Sequence, residues 1–270
     1  MSTDPHVSAA RVQKWGSWFY AETRLRSMRA YAISILITAV GEPALYLAAM
    51  GIGLGTLVDA QNGDVDGVPY LAFVAPALLV AALVMSVSTE MTFPVMDGFK
   101  WGRNYYGPAA TAITPQQIAN GHFIAVMLRF VAQGSIFWLV MVAFGAVDVG
   151  WSALIIPIGV LSAAAFGAPL QAYAATLTQE GFQFAFIERF IVMPMFLFAG
   201  TFFPLTAMPG YLQWIGWISP VWHGSQLARV AAYGADEPLW LLVVHVAFLL
   251  SLTVLGLRWA HRVYAARLGA

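Results

Sequence analysis

FIVMPMFLFAGTFFPLTAMPGYLQWIGWISPVWHGSQLA, residues 190–228, runs for 39 residues without an aspartate, glutamate, lysine or arginine. A bilayer core of about 30 Å takes roughly 20 residues of helix. The stretch therefore holds either two membrane spans or one span followed by irregular structure. Pro194, Pro204, Pro209, Gly210, Gly216 and Pro220 interrupt it. Charge placement decides between the two. With one span here the chain has six, and both of its ends lie on the same side. Arg11, Lys14, Arg24, Arg26, Arg29, Lys100, Arg103, Arg189, Arg258, Arg262 and Arg267 then share that side. The opposite side carries Asp59, Asp64, Asp66, Asp148, Asp236 and Glu237, with Arg229 as its one base. Basic residues gather on the cytoplasmic face, and a seventh span would export the three C-terminal arginines. Residues 188–203 are read as span five, and 204–236 as a re-entrant or surface-lying segment on the outer side. Non-helical backbone at that depth requires cover from protein or a wet cavity.

The rest of the chain agrees with this reading. It has 270 residues, 60% hydrophobic and 10% charged, with a mean hydropathy of +0.73. Soluble domains run near 45–50% apolar and about 25% charged, so a cytosolic enzyme or a disordered chain is excluded. Thirteen basic residues balance thirteen acidic ones, which leaves no surplus for nucleic-acid phosphates. Cysteine is absent, so there is no disulfide framework and no thiol nucleophile. Other long apolar stretches predict spans near 31–57, 69–91, 119–145, 152–177 and 238–258. They are too long and uniform for transmembrane β-strands. The expected layout is an interfacial N-terminal helix over 1–30 and an all-α, six-helix transmembrane domain over 31–258. A basic cytoplasmic tail follows over 259–270. No apolar stretch precedes residue 31, so span one is expected to act as its own insertion signal.

Within this frame a few polar residues stand out. In the N-terminal segment, Val12, Trp15, Trp18 and Phe19 recur at helical steps among arginines, a pattern suited to the headgroup layer. That helix either anchors the topology or also touches a cytoplasmic partner. Glu42, followed by Pro43, sits within span one, where a carboxylate costs at least ~2.5 kcal/mol. It holds helices together, handles substrate or couples to protons. Gly51, Gly53 and Gly55 loosen the outer end of that span. Arg129, inside span three, either snorkels to the interface or pairs with Glu90 or Glu42. The longest cytoplasmic loop, 94–117, carries Asp97, Lys100, Arg103, Tyr105 and Tyr106. Thr114-Pro115-Gln116-Gln117 closes it with a helix-start signature. The loop is either a solvated connection or a docking surface for a cytoplasmic engine. Trp214, Trp217 and Trp222 favour the membrane–water interface, which makes 204–236 an outer gate or a passive plug. The five histidines lack metal-ligand spacing. Lys14 and Lys100 follow Gln13 and Phe99, so no phosphate-binding G-x-x-x-x-G-K-[ST] loop exists.

Several pieces, taken in order, resemble a known family. They are Gly41-Glu42-Pro43, Gly51-Ile52-Gly53-Leu54-Gly55, Tyr70, Phe73 and Ala75-Pro76, Glu90-Met91-Thr92-Phe93 and Thr114-Pro115. They continue with Gly200, Phe202-Phe203-Pro204, Pro209, Pro220, His223 and Arg229. The sequence resembles the permease subunits of ABC-2 type exporters, in the branch of nodulation-factor (lipo-oligosaccharide) and daunorubicin-resistance permeases. The resemblance implies six helices per subunit, a coupling helix between spans two and three, and re-entrant helices before span six. It also implies two permease subunits, as a homodimer or a pair of close paralogues, joined to two copies of a separate ATPase that holds ATP and Mg. No cofactor is then expected on this chain, and no catalytic site. The expected activity is export of an amphipathic cargo, such as a glycolipid, a lipid-linked saccharide or a hydrophobic drug, across the cell membrane. The coupling role would fall to Asp97, Lys100, Arg103, Tyr105, Tyr106, Thr114 and Pro115. Phe202, Phe203, Pro204, the three tryptophans, His223 and Arg229 would form the outer gate. A proton-coupled carrier using Glu42 and Arg129 is the main rival, although the chain lacks the inverted repeat many such carriers show. A membrane enzyme acting on lipids is a second rival.

Overall fold

The computed structural model describes residues 5–179 and 181–269, and these are almost entirely helical. Helix α1 (Pro5–Met28) leads through a short 3-10 turn into α2 (Ala32–Leu47). A π-helical stretch, Ala48–Gly55, joins α2 to α3 (Thr56–Asn62). This is the glycine-rich end of span one, and the wide turn is how it loosens. Helix α4 (Tyr70–Glu90) is followed by the short α5 (Phe93–Phe99) and α6 (Tyr106–Ala109). Helices α7 (Pro115–Ala143) and α8 (Ile155–Thr176) come next. The segments α9 (Gln183–Ile187), a π turn over Glu188–Val192, and α10 (Met193–Phe198) make one uninterrupted helical run. Two short helices, α11 (Gly210–Trp217) and α12 (Pro220–Tyr233), precede the long α13 (Leu239–Leu268).

Among the described residues, five helical stretches are long and apolar enough to cross a membrane: Ile35–Gln61, Tyr70–Phe99, Pro115–Ala143, Trp151–Thr176 and Leu239–Leu268. The chain is thus a multi-pass, all-α membrane protein. The run 183–198 is shorter, about 24 Å at 1.5 Å per residue, and ends at Gly200, whose φ of 74° suits glycine. Helix α13 continues unbroken to Leu268, through the residues expected as a basic tail. Within 94–117, Phe93-Pro94 starts a short helix that buries Val95, Met96 and Phe99.

Helix α4 is the axis of the bundle, and residues 73–81 are all buried. It packs against α8 and α12, and α8 packs closely on α13. Small residues permit that approach: Gly256 on α13 meets Ala168 and Pro169 on α8, while Gly167 on α8 meets Val87 and Met91 on α4. In lipid, where no hydrophobic drive operates between helices, such close packing supplies the association. A Cβ on Gly256 would lie 2.4 Å from the Pro169 backbone nitrogen and 2.6 Å from the Ala168 carbonyl carbon. Backbone cannot swing aside as a flexible side chain can. Gly256→Ala is therefore expected to cost about 1–3 kcal/mol and to lower the melting midpoint of the purified chain. An unchanged midpoint would mean that the two helices separate freely.

Helix α1 lies across the start of α7. Gly16 sits against Gln117, and Gly121 sits against the Ser17 carbonyl and Tyr20. The Gln117 amide donates to the carbonyls of Val12 at 3.1 Å and Gln13 at 2.7 Å. The packed face of α1 is thus centred on Gly16 and Tyr20. Trp15 and Trp18 lie off this contact and are about half exposed.

Candidate functional site

Two polar regions sit at opposite ends of the bundle. The first is the elbow between α4 and α7. Asp97 organises it: its carboxylate accepts from the Gly102 amide and the Asn104 side chain, each at 2.9 Å. Its carbonyl accepts from the Arg103 amide at 3.0 Å, with Arg103 at a left-handed φ of 52°. Thr114 caps α7 reciprocally with Gln117, and Pro115 stands in the first turn. The turn leaves Lys100, Arg103 and Asn104 exposed, and the Arg103 guanidinium lies 4.8 Å over the Tyr106 ring.

Tyr105 does not join that surface. It is 1% exposed and packs edge-on to Phe99. Its hydroxyl donates to His122 Nδ1 at 2.9 Å and accepts from Tyr264 at 3.1 Å. Tyr264 accepts in turn from Gln171, and His122 Nε2 donates to the Glu90 carbonyl at 3.4 Å. Every donor in this chain meets an acceptor with all groups neutral. Burial, reinforced by Tyr264 and Tyr20, pushes the Tyr105 hydroxyl well above its ordinary range. Burial likewise raises Tyr20. Tyr105 thus lies buried behind the elbow rather than on its exposed surface. Around it, α1, α5, α7, α8 and α13 share one apolar cluster that includes Tyr20, Met96, Phe99, Ile118, Phe184 and Tyr264.

Arg129 forms an ion pair with Glu90, both groups about four-fifths buried. The pair lines a cavity of about 480 Å³ together with Arg24, Asp97 and Trp101. Glu42 is not part of it. Glu42 is exposed on α2 and lines a separate cavity of about 220 Å³ with Tyr46, Ser86, Thr89 and Glu188. Glu188 accepts from the Ser88 hydroxyl at 2.7 Å.

The second region is the outer segment. Arg229 is 3% exposed and lies 3.8 Å over the Phe73 ring. Its guanidinium donates to the carbonyls of Gly200 at 2.7 Å, Phe73 at 3.3 Å and Thr201 at 3.4 Å, and to Gln226 at 2.8 Å. It thereby pins the break after α10 to α4. Tyr70 donates to the Phe202 carbonyl at 3.1 Å, and Tyr233 donates to Asp66 at 2.8 Å. Phe202, Phe203 and Pro204 line an apolar cavity of about 680 Å³ with Met50, Leu54 and Leu197. Trp214 and Trp217 are about half exposed. Trp222 turns inward, edge-on to His223 and His245.

His223 and Arg229 do not offer their polar groups to the exterior. Both are 3% exposed, because α12 turns that face onto α4 and α8. His223 instead meets His245 and, through it, Glu237. The sequence reading missed His245, Glu237, His122, Gln171 and Tyr264. Each lies on a different element from its partner, so no spacing along the chain exposes the pairing.

A family model described as ABC-2 type transporter matches residues 19–233. The chain is 24% identical over 225 residues to Nodulation protein J of Sinorhizobium fredii, with 83% of each chain covered. It is 24% identical over 247 residues to Nodulation protein J of Rhizobium meliloti, with 90% of each covered. The protein of the same name from Bradyrhizobium diazoefficiens is 26% identical over 213 residues, covering 77% of this chain and 79% of the relative.

Proposed function

Because the chain belongs to the ABC-2 type transporter family, we propose that it is the six-span half of an exporter whose ATPase is a separate subunit. It is a non-catalytic permease subunit. In this reading two permease subunits, identical or paralogous, join two ATPase copies in the cell membrane. ATP hydrolysis on the partner moves the elbow at 94–117 and opens a path between the permeases. Helices 183–198 then form the short fifth span, and α11 and α12 the re-entrant pair. Both termini are cytoplasmic.

One observation carries the reading: the polarity of the bundle. The N-terminal helix, the elbow and the end of α13 converge on one face. There Arg267 donates to the Ala175 and Leu177 carbonyls and lies 4.1 Å over Phe99. Lys100 and Arg103 are exposed beside it. At the other face Asp59, Asp66 and Glu237 engage Tyr70, Tyr233 and His245. Basic residues face the cytoplasm, which is where an ATPase would dock. An amphipathic cargo fits an apolar groove of about 900 Å³ between α8, α9–α10, α11 and α13, lined by Phe166, Phe186, Phe190, Trp214 and Trp259. The proton-carrier rival is weakened because Arg129 is engaged by Glu90 and does not meet Glu42.

Co-purification with the partner ATPase tests this. Arg103→Glu combined with Tyr106→Ala removes an exposed cation and its aromatic platform, and is expected to weaken capture about tenfold or more. The amount of permease in the membrane should not change. Capture at the wild-type level would move the contact away from the elbow. Transport that persists without the ATPase and collapses with the proton gradient would overturn the exporter reading.

A further inference from the structure

We propose that His223, His245 and Glu237 form a proton-binding site that latches the outer segment to the last long helix. The inference deepens the outer-gate reading, and it rests on that reading only for the side from which the latch is reached. His223 Nε2 lies 3.0 Å from the Trp217 carbonyl, and its Nδ1 lies 2.7 Å from His245 Nδ1. His245 Nε2 lies 3.2 Å from a Glu237 carboxylate oxygen. The line runs from α11 through α12 and α13 to the loop before α13.

The hydrogens along this line are unusual in number. A carbonyl only accepts, so His223 Nε2 carries a hydrogen. Two ring nitrogens at 2.7 Å need one hydrogen between them. A ring nitrogen facing a carboxylate oxygen needs another. Three hydrogens are required. Two neutral imidazoles supply one each, and an ionised carboxylate supplies none. The latched arrangement therefore holds one proton more than the neutral histidines and free carboxylate carry. That proton is written equally as a charged His245 beside Glu237 or as a protonated Glu237. The buried Tyr264–Tyr105–His122 chain at the other end of the molecule needs no such addition.

The surroundings keep the site isolated and reachable. The His245 side chain is fully buried, while Glu237 is 14% exposed, so the proton exchanges through the carboxylate. Phe248 stacks on His223 at 4.0 Å, and Trp222 closes the other side. Gln226 on α12 donates to Glu237 at 3.4 Å and accepts from Arg229. Asp66 is engaged by Tyr233, and Asp236 is exposed. Helix α8 carries no charged residue, and the one carboxylate of α4, Glu90, ends that helix at the opposite face. Among the described residues, Glu237 is thus the only acid bonded to either histidine. Because the latched state binds the extra proton, its stability is present at low pH and is lost as pH rises through the apparent pKa of the site.

Ser225 provides the reporter. It is buried on α12 and its hydroxyl has no partner, so Ser225→Cys costs no hydrogen bond, and the chain has no native cysteine. The full-length chain with Ser225→Cys is treated with a membrane-impermeant maleimide, in cells and in proteoliposomes. Rates are normalised to Tyr211→Cys, an exposed position in the same segment. Labelling is expected to be slow at pH 6 and about tenfold faster at pH 9, the effect of losing one buried hydrogen bond. Glu237→Gln supplies an N–H to His245 without a proton, so labelling should stay slow at both pH values. Glu237→Ala should label fast at both. A rate flat with pH in the unaltered site, or Gln as open as Ala, overturns the proposal. Failure of Tyr211→Cys to label from outside cells would refute the outer-side reading, and the pH comparison in proteoliposomes would still decide the latch.

Discussion

Arg229→Ala is expected to abolish export and to lower the melting midpoint of the purified permease by about 10 °C. The side chain is the one cation in the outer segment, and it is spent on backbone. Three carbonyls, from Phe73, Gly200 and Thr201, and the Gln226 amide all accept from it. Gly200 and Thr201 form the break after α10, where no helix ladder supplies a substitute. Removing the guanidinium leaves these acceptors buried and unpaired at about 1–3 kcal/mol each, partly relieved by entering water. A total near 4 kcal/mol corresponds to roughly 10 °C for a domain of this size. Arg229→Lys should recover little. An ammonium is a point charge that cannot fork between Gly200 and Phe73, and it loses the flat stack on the Phe73 ring. A melting midpoint within 2 °C of wild type for the alanine variant, with export intact, would remove Arg229 from any role in holding the segment.

How much of this was legible beforehand divides along a physical line. Apolar run length reports the solvent a helix meets, so the long helices were read from hydropathy. The Thr114-Pro115 cap is local, and it forms as the residues dictate. An interruption after residue 203 was read from Pro204, Pro209 and Gly210, and the backbone breaks slightly earlier, at Gly200. The orientation of single side chains was not legible. Whether Tyr105 or Tyr106 faces the exterior depends on how Asp97 folds the turn between them and α5, and the two are adjacent in sequence. His223 reads as a lone polar residue among tryptophans until α13 brings His245 beside it. Arg129 was left between snorkelling and pairing with Glu90 or Glu42, and only packing of α4 on α7 selects Glu90.

The Tyr105 position offers the sharpest separation of coupling from contact. Tyr105→Ala is expected to lose about 3–5 kcal/mol, the range for deleting a fully buried aromatic side chain. The loss exceeds that of cavity formation alone. His122 Nδ1 loses its donor and Tyr264 loses its acceptor, both in a dry cluster where α1, α5, α7, α8 and α13 meet. Tyr105→Phe keeps the ring against Phe99 and removes only the hydroxyl, so about 1–2 kcal/mol should go. If the elbow transmits ATPase movement into the spans, the rigid link behind it is this hydroxyl chain from Tyr105 to His122 on α7 and Tyr264 on α13. The phenylalanine variant should then bind the ATPase at wild-type strength and fold, yet transport less per ATP hydrolysed. Tyr106→Ala, by contrast, should lower binding and leave the melting midpoint within 1 °C. The measurements are co-purification, melting and the ratio of cargo exported to phosphate released. Equal ratios for wild type and Tyr105→Phe would confine the tyrosine to stability. A Tyr106→Ala protein that binds normally would place the ATPase on another part of the basic face, most directly on α1.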